Sequence, residues 1–520
     1  MSGAPFRRVL IANRGEIALR ILRACRDLGM EAVAVYSDAD AEAAYVRAAD
    51  AAVRLGPPPA AESYLRGDLI VEAALATGAD AIHPGYGFLA ESAAFARRVE
   101  EAGLAYVGPP SGVIGALADK LAARRAARDA GVPVVPGTLE PAQVDRPDQF
   151  EAIIAEAATV GFPLLVKASA GGGGRGMRHV SAAPELPAAL ASGSAEALAG
   201  FGDGAVYLER EIRPARHIEV QLMGDSEGHV VALGERDCSI QRRHQKLVEE
   251  SPAPDLSGSE RGELLQMAIR LGAAADVRNA VTVEFLFDAD RRFWFLEVNT
   301  RLQVEHGVTE LVTGVDLVAE QFRLAAGWTH SPAVLEAAER AVRPTRHAIE
   351  VRISAEDPGR AFAPAPGRIG RWVVPFGPAV RVDMAAEAGE RVPPEYDPLL
   401  AKLLVVGPDR GSTIDRLGRA LDELQVTGIQ TTLPFHRFVA ASEAFRAARL
   451  STDWVTDYWE PEVASDRAAA LDVATVAAAA AAWQGWGGTP DRRDGRHLPN
   501  DTDDGWRRAA RNEAVDRWPT

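Results

Sequence analysis

Residues 281–306, VTVEFLFDADRRFWFLEVNTRLQVEH, constrain the fold of this chain more than any other stretch. Apolar and polar residues alternate on both sides of the turn-forming run DADRR, which predicts two strands joined by a turn. Residues two apart on a strand share a face. Glu297, Asn299, Arg301, Gln303 and Glu305 therefore line one face for as long as the chain stays extended, with Glu284 of the preceding strand beside them. Two carboxylates and an amide oxygen suit Mg²⁺, which shares its oxygen shell with phosphates. Arg301 suits an anion, and Glu305 next to it suits a base. The solvent-facing side of an amphipathic sheet has the same spacing. The row favours a site because it runs past the strand end in non-repetitive polar types.

A second stretch, KASAGGGGRGMR from Lys167 to Arg178, satisfies G-x-G-x-x-G only because it is a run of glycines. The strand FPLLVKA leads in and the short extended run MRHV follows, so the spacing predicts a hairpin rather than a dinucleotide-binding turn. No Gly-Lys-Ser/Thr closes a Walker loop. Glycines let backbone N–H groups approach an anion, and Lys167, Arg175 and Arg178 add positive charge; a solvated loop is the plainer alternative. Only four of the 57 basic residues are lysine: Lys120, Lys167, Lys246 and Lys402. A chain that otherwise uses arginine keeps lysine where a compact ammonium is needed, if the lysines fall within motifs. Lys246 lies in ERDCSIQRRHQKLVEE, which reads as a polar strand and loop.

At 520 residues the chain is long enough for several domains. Its net charge of −16 argues against nucleic acid or an anionic membrane surface as partner. No apolar run is long enough to span a bilayer, and a strand, RRVLIA, begins almost at the amino terminus, leaving no room for a signal peptide. Cys25 and Cys238 form no disulfide framework or metal spacing, which suggests a reducing cytoplasm. Residues 1–118 alternate buried strands with amphipathic helices, a doubly wound α/β pattern. Asn13-Arg14-Gly15-Glu16 and the turn HPGYGFLAE, with Tyr86 and Glu91, stand at strand ends where such folds place ligands. Residues 119–340 read as a charged helix, the glycine hairpin and antiparallel strands with one long helix near 260–275. Residues 341–456 are β-rich. Residues 457–520, rich in Ala and Trp with Pro, Gly and Asp, read as partly disordered or partner-docking.

LIANRGEIALRI, HPGYGFLAE, KASAGGGGRGMR, RHIEVQ, ERDCSIQRRHQK, VEFLF, EVNTRLQVEH, EVRISAEDP and YDPLLAKL follow in order from about residue 6 to 455. In these motifs the chain resembles the biotin carboxylases, ATP-grasp enzymes of the biotin-dependent carboxylases. The resemblance implies an α/β amino-terminal domain, an ATP-grasp domain with a mobile lid over about 138–211, and a β-rich carboxyl-terminal domain. It implies that Lys120, Lys167 and the glycines Gly172, Gly173 and Gly174 hold ATP phosphates under the lid. Glu209 and Ile212 would meet the adenine edge, with His217, Gln241 and His244 around adenine and ribose. Glu284 and Glu297 would bind Mg²⁺ or Mn²⁺, with Asn299 beside them. Lys246, Arg301, Gln303 and Val304 would hold bicarbonate and Glu305 would deprotonate it. Arg352 would stabilise the biotin enolate, with Tyr86 near the biotin pocket.

Implied partners are a biotin carboxyl carrier protein and carboxyltransferase subunits, with a homodimer as the family's default. An acetyl- or propionyl-CoA carboxylase, and hence fatty acid biosynthesis, is the expected setting. The alternatives are other biotin-dependent carboxylases, another ATP-grasp ligase and a catalytically silent binding subunit. The rival ligase would lack the Arg301–Glu305 and Arg352 set, and a silent subunit would have eroded catalytic positions. The chain departs from the family pattern at Gly307, where proline is usual and where glycine is expected to loosen the loop carrying Glu305. It also departs at Thr432, where asparagine is usual. No lysine adjoins a methionine, so the chain is expected to act on biotin carried by another polypeptide.

Overall fold

The computed structural model describes residues 3–169, 177–461 and 479–480. Gly172, Gly173 and Gly174 lie outside them, as does the expected tail apart from its first residues and that pair. No helix among the described residues is long and apolar enough to cross a membrane.

The first hundred residues form a five-stranded parallel sheet in the order Ala51–Gly56, Glu31–Ser37, Arg8–Ile11, Ala81–His83, Ala105–Tyr106. Arg8–Ile11 is almost wholly apolar because both faces are covered: Val9 and Ile11 enter one core, Leu10 another. The edge strand Ala51–Gly56 is only partly buried and gives no such signal in the sequence. Strand order reverses between Arg8–Ile11 and Ala81–His83, the place where doubly wound sheets bind ligands. Here the chain fills that crevice itself. Asn13 Nδ2 donates to the carbonyls of Pro84 (2.7 Å) and Tyr86 (2.8 Å), and Arg14 forks onto Asp40 at 2.7 Å through each nitrogen while covering the Tyr396 ring. The NRGE turn therefore docks the sheet against the carboxyl-terminal part of the chain.

A three-stranded antiparallel sheet, Arg178–Val180, Leu164–Ala168 and Val206–Arg210, packs with helices Pro147–Val160 and Leu186–Phe201 around a small core of its own. The strands flanking the glycine run pair antiparallel, as the sequence predicts. The largest sheet has eight antiparallel strands: Phe293–Asn299, Asn279–Asp288, Ala215–Gly224, Val230–Arg242, Gln245–Ser251, His347–Ser354, Leu399–Gly407 and Val380–Met384. Gln245–Ser251 pairs with His347–Ser354, so this sheet runs unbroken across the boundary expected at 340. On one face Val220, Leu222, Val281, Val283 and Phe285 pack beneath helix Gly258–Ala274, whose start carries a Ser257–Glu260 capping box. The other face presents His217, Glu219, Thr282 and Glu284.

Two local features correct the sequence reading. Around Lys246 the strand is as expected but the loop shrinks to a turn: Val230–Arg242 and Gln245–Ser251 are joined by the two residues Arg243 and His244, both at positive φ (49° and 66°). Such a turn matches the twist of a hairpin, though Arg and His occupy a conformation usually left to Asn and Gly. Nor does Gly307 loosen a loop. It lies in helix His306–Thr313, packed so closely that a Cβ would stand 2.4 Å from Leu404 Cδ2 and 3.2 Å from Glu350 Oε2. Leu404 is fully buried and has little room to yield. Gly307→Ala is expected to lower stability by about 1–3 kcal/mol through overpacking. Thermal melting of Gly307→Ala, Leu404→Ala and the double variant checks this: a double variant that loses less than the two single losses combined is the expected result, and an unchanged Gly307→Ala the contrary one.

Candidate active site

The site grows from a row of residues in register across the large sheet. Glu297 stands opposite Glu284, Glu284 opposite Glu219, and Glu219 opposite Arg236. Glu297 has the same sequence parity as Phe293 and Phe295, which are core residues, and regular alternation would bury it among them. A bulge at Leu296 inserts one residue, sends Val298 to the core in its place and turns Glu297 and Asn299 to the polar face. The strand ends at Asn299. Arg301, Gln303 and Glu305 therefore do not continue an extended row, as expected from spacing, but follow in a turn that leads into helix His306–Thr313. They still converge on the carboxylates. Asn299 Nδ2 and Gln303 Nε2 donate to Glu284 Oε1 at 2.9 and 3.3 Å. Arg301 donates to Asn299 Oδ1, Gln303 Oε1 and Glu91 Oε2 at 3.2, 2.9 and 2.9 Å.

Adjacent like charges on a sheet repel, and buried carboxylates are costly unless cations lie among them. Lys246 supplies the central one: its ammonium donates to Glu219 (2.5 Å), Glu284 (2.9 Å) and Glu305 (2.6 Å). Arg236, fully buried, donates to Glu219 at 2.5 Å and to Gln221 and Thr309 at 2.9 Å. Arg352 joins Glu249 (2.6 Å) to the second oxygen of Glu305 (2.9 Å), and its own carbonyl accepts from Thr432 Oγ1 at 2.7 Å and meets His436 Nε2 at 2.7 Å. Thr432 thus braces the strand that carries Arg352. His217 Nε2 lies 2.9 Å from Glu284 Oε2.

Burial alone would raise the pKa of Glu305, but Lys246 and Arg352 outweigh it and hold the carboxyl well below its usual range. Glu284 is held low against burial by Lys246 and His217. Burial and the charge of Glu284 push Glu297 the other way. Glu297 is half-buried and has no hydrogen-bond or ion-pair partner among the described residues. Facing Glu284 across the strands, it is the carboxylate a divalent ion would satisfy, and oxygen ligands of this kind fit Mg²⁺ or Mn²⁺. His217, Glu219 and Glu284 also bring ligand atoms within 4.8 Å of one another, but the Lys246 ammonium already neutralises that cluster.

Of the other expected residues, Lys120, Lys167 and His217 all lie within electrostatic reach of His244. Lys167 pairs with one oxygen of Glu209, and the second oxygen takes Arg124 at 2.6 Å. Lys120 opens helix Lys120–Asp129, half-buried and unpaired among the described residues, and its charge reaches Glu297 and His244. His244 tips the hairpin turn, and burial together with Lys167, His217 and Lys120 lowers its pKa. Gln241 is buried opposite Lys246, and Ile212 lies in the loop after Val206–Arg210. Tyr86 packs against the amino-terminal core with a buried hydroxyl that has no hydrogen-bond partner among the described residues. Val304 contributes its carbonyl, which accepts from Lys402 at 2.7 Å.

Three family models match this chain: the biotin carboxylase N-terminal domain over residues 5–114, the ATP-binding domain of the carbamoyl-phosphate synthase L chain over 119–331, and the biotin carboxylase C-terminal domain over 350–457. The biotin carboxylase of Halalkalibacterium halodurans is 48% identical over 453 residues, covering 87% of this chain and 98% of that protein. The chain belongs to the biotin carboxylase family. A pyruvate carboxylase component of Methanothermobacter thermautotrophicus is 46% identical, covering 87% of this chain and 90% of its own length. Among solved structures, a Campylobacter jejuni biotin carboxylase in a β-γ-ATP complex matches with TM-score 0.83 and 41% identity, covering 87% of this chain and 99% of that one. The biotin carboxylase domain dimer of Hydrogenobacter thermophilus 2-oxoglutarate carboxylase, with MgADP, ADP and bicarbonate, matches with TM-score 0.82 and 41% identity over 88% and 99%. As a biotin carboxylase the chain is an ATP-dependent carboxylating ligase.

Removing the shared cation gives a direct test of the electrostatics. Lys246→Met leaves three buried carboxylates without their common partner and is expected to cost about 3–5 kcal/mol near neutral pH. In the wild type, Glu284 and Glu305 titrate below the ordinary value of about 4.3. Their contribution is complete above that value and is lost as pH falls from it down through their lower folded pKa values. In Lys246→Met burial is no longer opposed by the ammonium, folded carboxyls take up protons above that value, and stability rises as pH falls from about 8 to about 5. Glu16 and Glu249, which burial pushes up to about 7, give the wild type a rise of its own, so thermal melts should show a steeper rise in the variant; parallel profiles would contradict it.

Proposed function

We propose that the chain carboxylates biotin borne on a separate carrier protein, using ATP and bicarbonate, as the first half-reaction of an acyl-CoA carboxylase. The observation that carries the reading is the fully buried Glu305 carboxylate, held by Lys246 on one oxygen and Arg352 on the other. The two cations keep Glu305 ionised. A bicarbonate that draws Lys246 onto itself loosens the hold on Glu305, whose proton affinity then rises as the substrate seats.

Glu305 takes the bicarbonate proton, and the bicarbonate oxygen attacks the γ-phosphorus of ATP while the bond to the β-phosphate oxygen breaks, giving ADP and carboxyphosphate. Carboxyphosphate divides into CO₂ and phosphate, the phosphate accepts the biotin N1 proton, and N1 bonds to CO₂. Lys246, Arg301, Gln303 and the Val304 backbone hold the bicarbonate, and Arg352 faces the enolate of biotin, with Tyr86 near the biotin pocket. Lys120, Lys167 and the glycines after Lys167 take the ATP phosphates, which requires Lys167 to release Glu209. Ile212 and the Glu209 backbone meet the adenine, with His217, Gln241 and His244 around it. Glu284 and Glu297 would hold Mg²⁺ or Mn²⁺ with Asn299 beside them; the ion would draw negative charge from the phosphates. Residues of about 138–211, built on a core of their own, form the lid that keeps water from the intermediate.

We further propose a cytoplasmic homodimer serving carrier and carboxyltransferase subunits; both cysteines are free and buried, as suits a reducing compartment. Pyruvate and 2-oxoglutarate carboxylase relatives of similar identity keep other final acceptors open as a second reading.

Glu305→Gln should retain ATP binding and lose bicarbonate-dependent ATP cleavage by about 10²-fold or more. Near-normal turnover would remove Glu305 from the mechanism. Glu297→Gln should instead shift the Mg²⁺ titration to much higher concentration, and an unchanged titration would leave that carboxylate a structural role. Streptavidin blotting should find no biotin on this polypeptide while a biotinylated carrier stimulates ATP cleavage; a covalent signal would overturn action in trans.

A further inference from the structure

Lys402 lies outside every role assigned so far. It sits mid-strand in Leu399–Gly407 with no solvent exposure, in register with Arg352 on one neighbouring strand and Asp383 on the other. Its ammonium donates to the Val304 carbonyl at 2.7 Å. The carboxylates around it stand farther off: Asp383 at 3.6 Å and Glu16, from helix Gly15–Asp27, at 3.8 Å, with Glu350 also close enough for its charge to act on the ammonium. Both oxygens of Glu16 and of Glu350 are buried without a hydrogen bond among the described residues.

A lysine whose task was only to neutralise buried acids would place its hydrogen bond on one of them. This one gives its short contact to a neutral carbonyl. The surrounding carboxylates keep it charged, and a charged donor holds a carbonyl more firmly than a neutral one. The side chains of the segment are tied to Lys246, Arg352, Arg301 and Glu284, but hydrogen bonds to its own backbone are longer than the one from Lys402. The backbone bonds His306 N–H to Gln303 O and Val308 N–H to Glu305 O are both long at 3.3 Å, and His306 Nδ1 meets Gln303 O at 2.8 Å. Adjacent strands thus send two cations to consecutive groups of one loop, Arg352 to the Glu305 carboxylate and Lys402 to the carbonyl just before it.

We propose that Lys402 is a positioning residue for bicarbonate activation, its buried ammonium fixing the Val304 carbonyl and so the backbone from which Glu305 projects. The proposal rests on the assignment of Glu305 as base. Lys402 also gathers three parts of the chain at this point: the first helix through Glu16, the carboxyl-terminal strands, and the turn carrying the base.

The test uses the full chain with Lys402→Met, the double variant Lys402→Met/Glu16→Gln, and Glu305→Gln in parallel. Lys402→Met should lower kcat for bicarbonate-dependent ATP cleavage about tenfold or more and raise the KM for bicarbonate, with the KM for ATP within about twofold of wild type. The double variant removes one stranded carboxylate, and should recover melting temperature without recovering kcat. It also serves if the single variant fails to fold. Wild-type kcat and bicarbonate KM in Lys402→Met, or turnover that returns together with melting temperature in the double variant, would overturn the proposal. Turnover retained in Glu305→Gln would instead sink the base assignment on which it stands.

Discussion

Glu219, Glu284 and Glu297 stand in register on three neighbouring strands, and most of the site follows from what that arrangement demands. Three carboxylates so placed repel one another, and two of them are fully buried. The fold answers with cations that have nowhere else to go: Lys246 between Glu219, Glu284 and Glu305, and Arg236 beneath Glu219. Glu297 alone is left without a partner among the described residues, which marks where a divalent ion would complete the balance. A charge distribution assembled before any substrate arrives needs little reorganisation when the substrate brings more negative charge.

The same logic explains how three parts of one chain stay together around the cleft. Arg14 reaches from the parallel sheet to Asp40 and the Tyr396 ring, and Glu16 from the next turn of chain reaches Lys402. At the crevice where doubly wound sheets take a ligand, Asn13 and Arg14 instead bond to the protein itself. Burial makes these polar links exacting, because losing one member strands the others in a medium of low polarity.

How much of this was legible in the sequence depended on whether a residue's partner lay nearby in the chain. The period-two alternation around Glu284 and Glu297 showed the hairpin and its polar face, and the glycine run between two extended segments showed the second hairpin. Arg301, Gln303 and Glu305 were found by a spacing rule that stops applying at Asn299, where the strand ends. The bulge at Leu296 was invisible, since one extra residue leaves no compositional mark. Glu219, Arg236 and Glu249 were given no role because a charged residue within a buried strand reads as an exposed one until its partner is known. Lys402 stood out only as one of four lysines, and its carbonyl partner lies 98 residues away. Gly307 looked like a weak point in a loop, and only the packing of Leu404 shows why a side chain is absent there.

The central claim is that this cluster makes bicarbonate the nucleophile toward the terminal phosphate of ATP. Supplying bicarbonate labelled with ¹⁸O in ordinary water and analysing the released phosphate by mass spectrometry tests it most directly. The account predicts one ¹⁸O in each phosphate formed during bicarbonate-dependent turnover, carried over when carboxyphosphate divides. Phosphate that draws its new oxygen from water would contradict it.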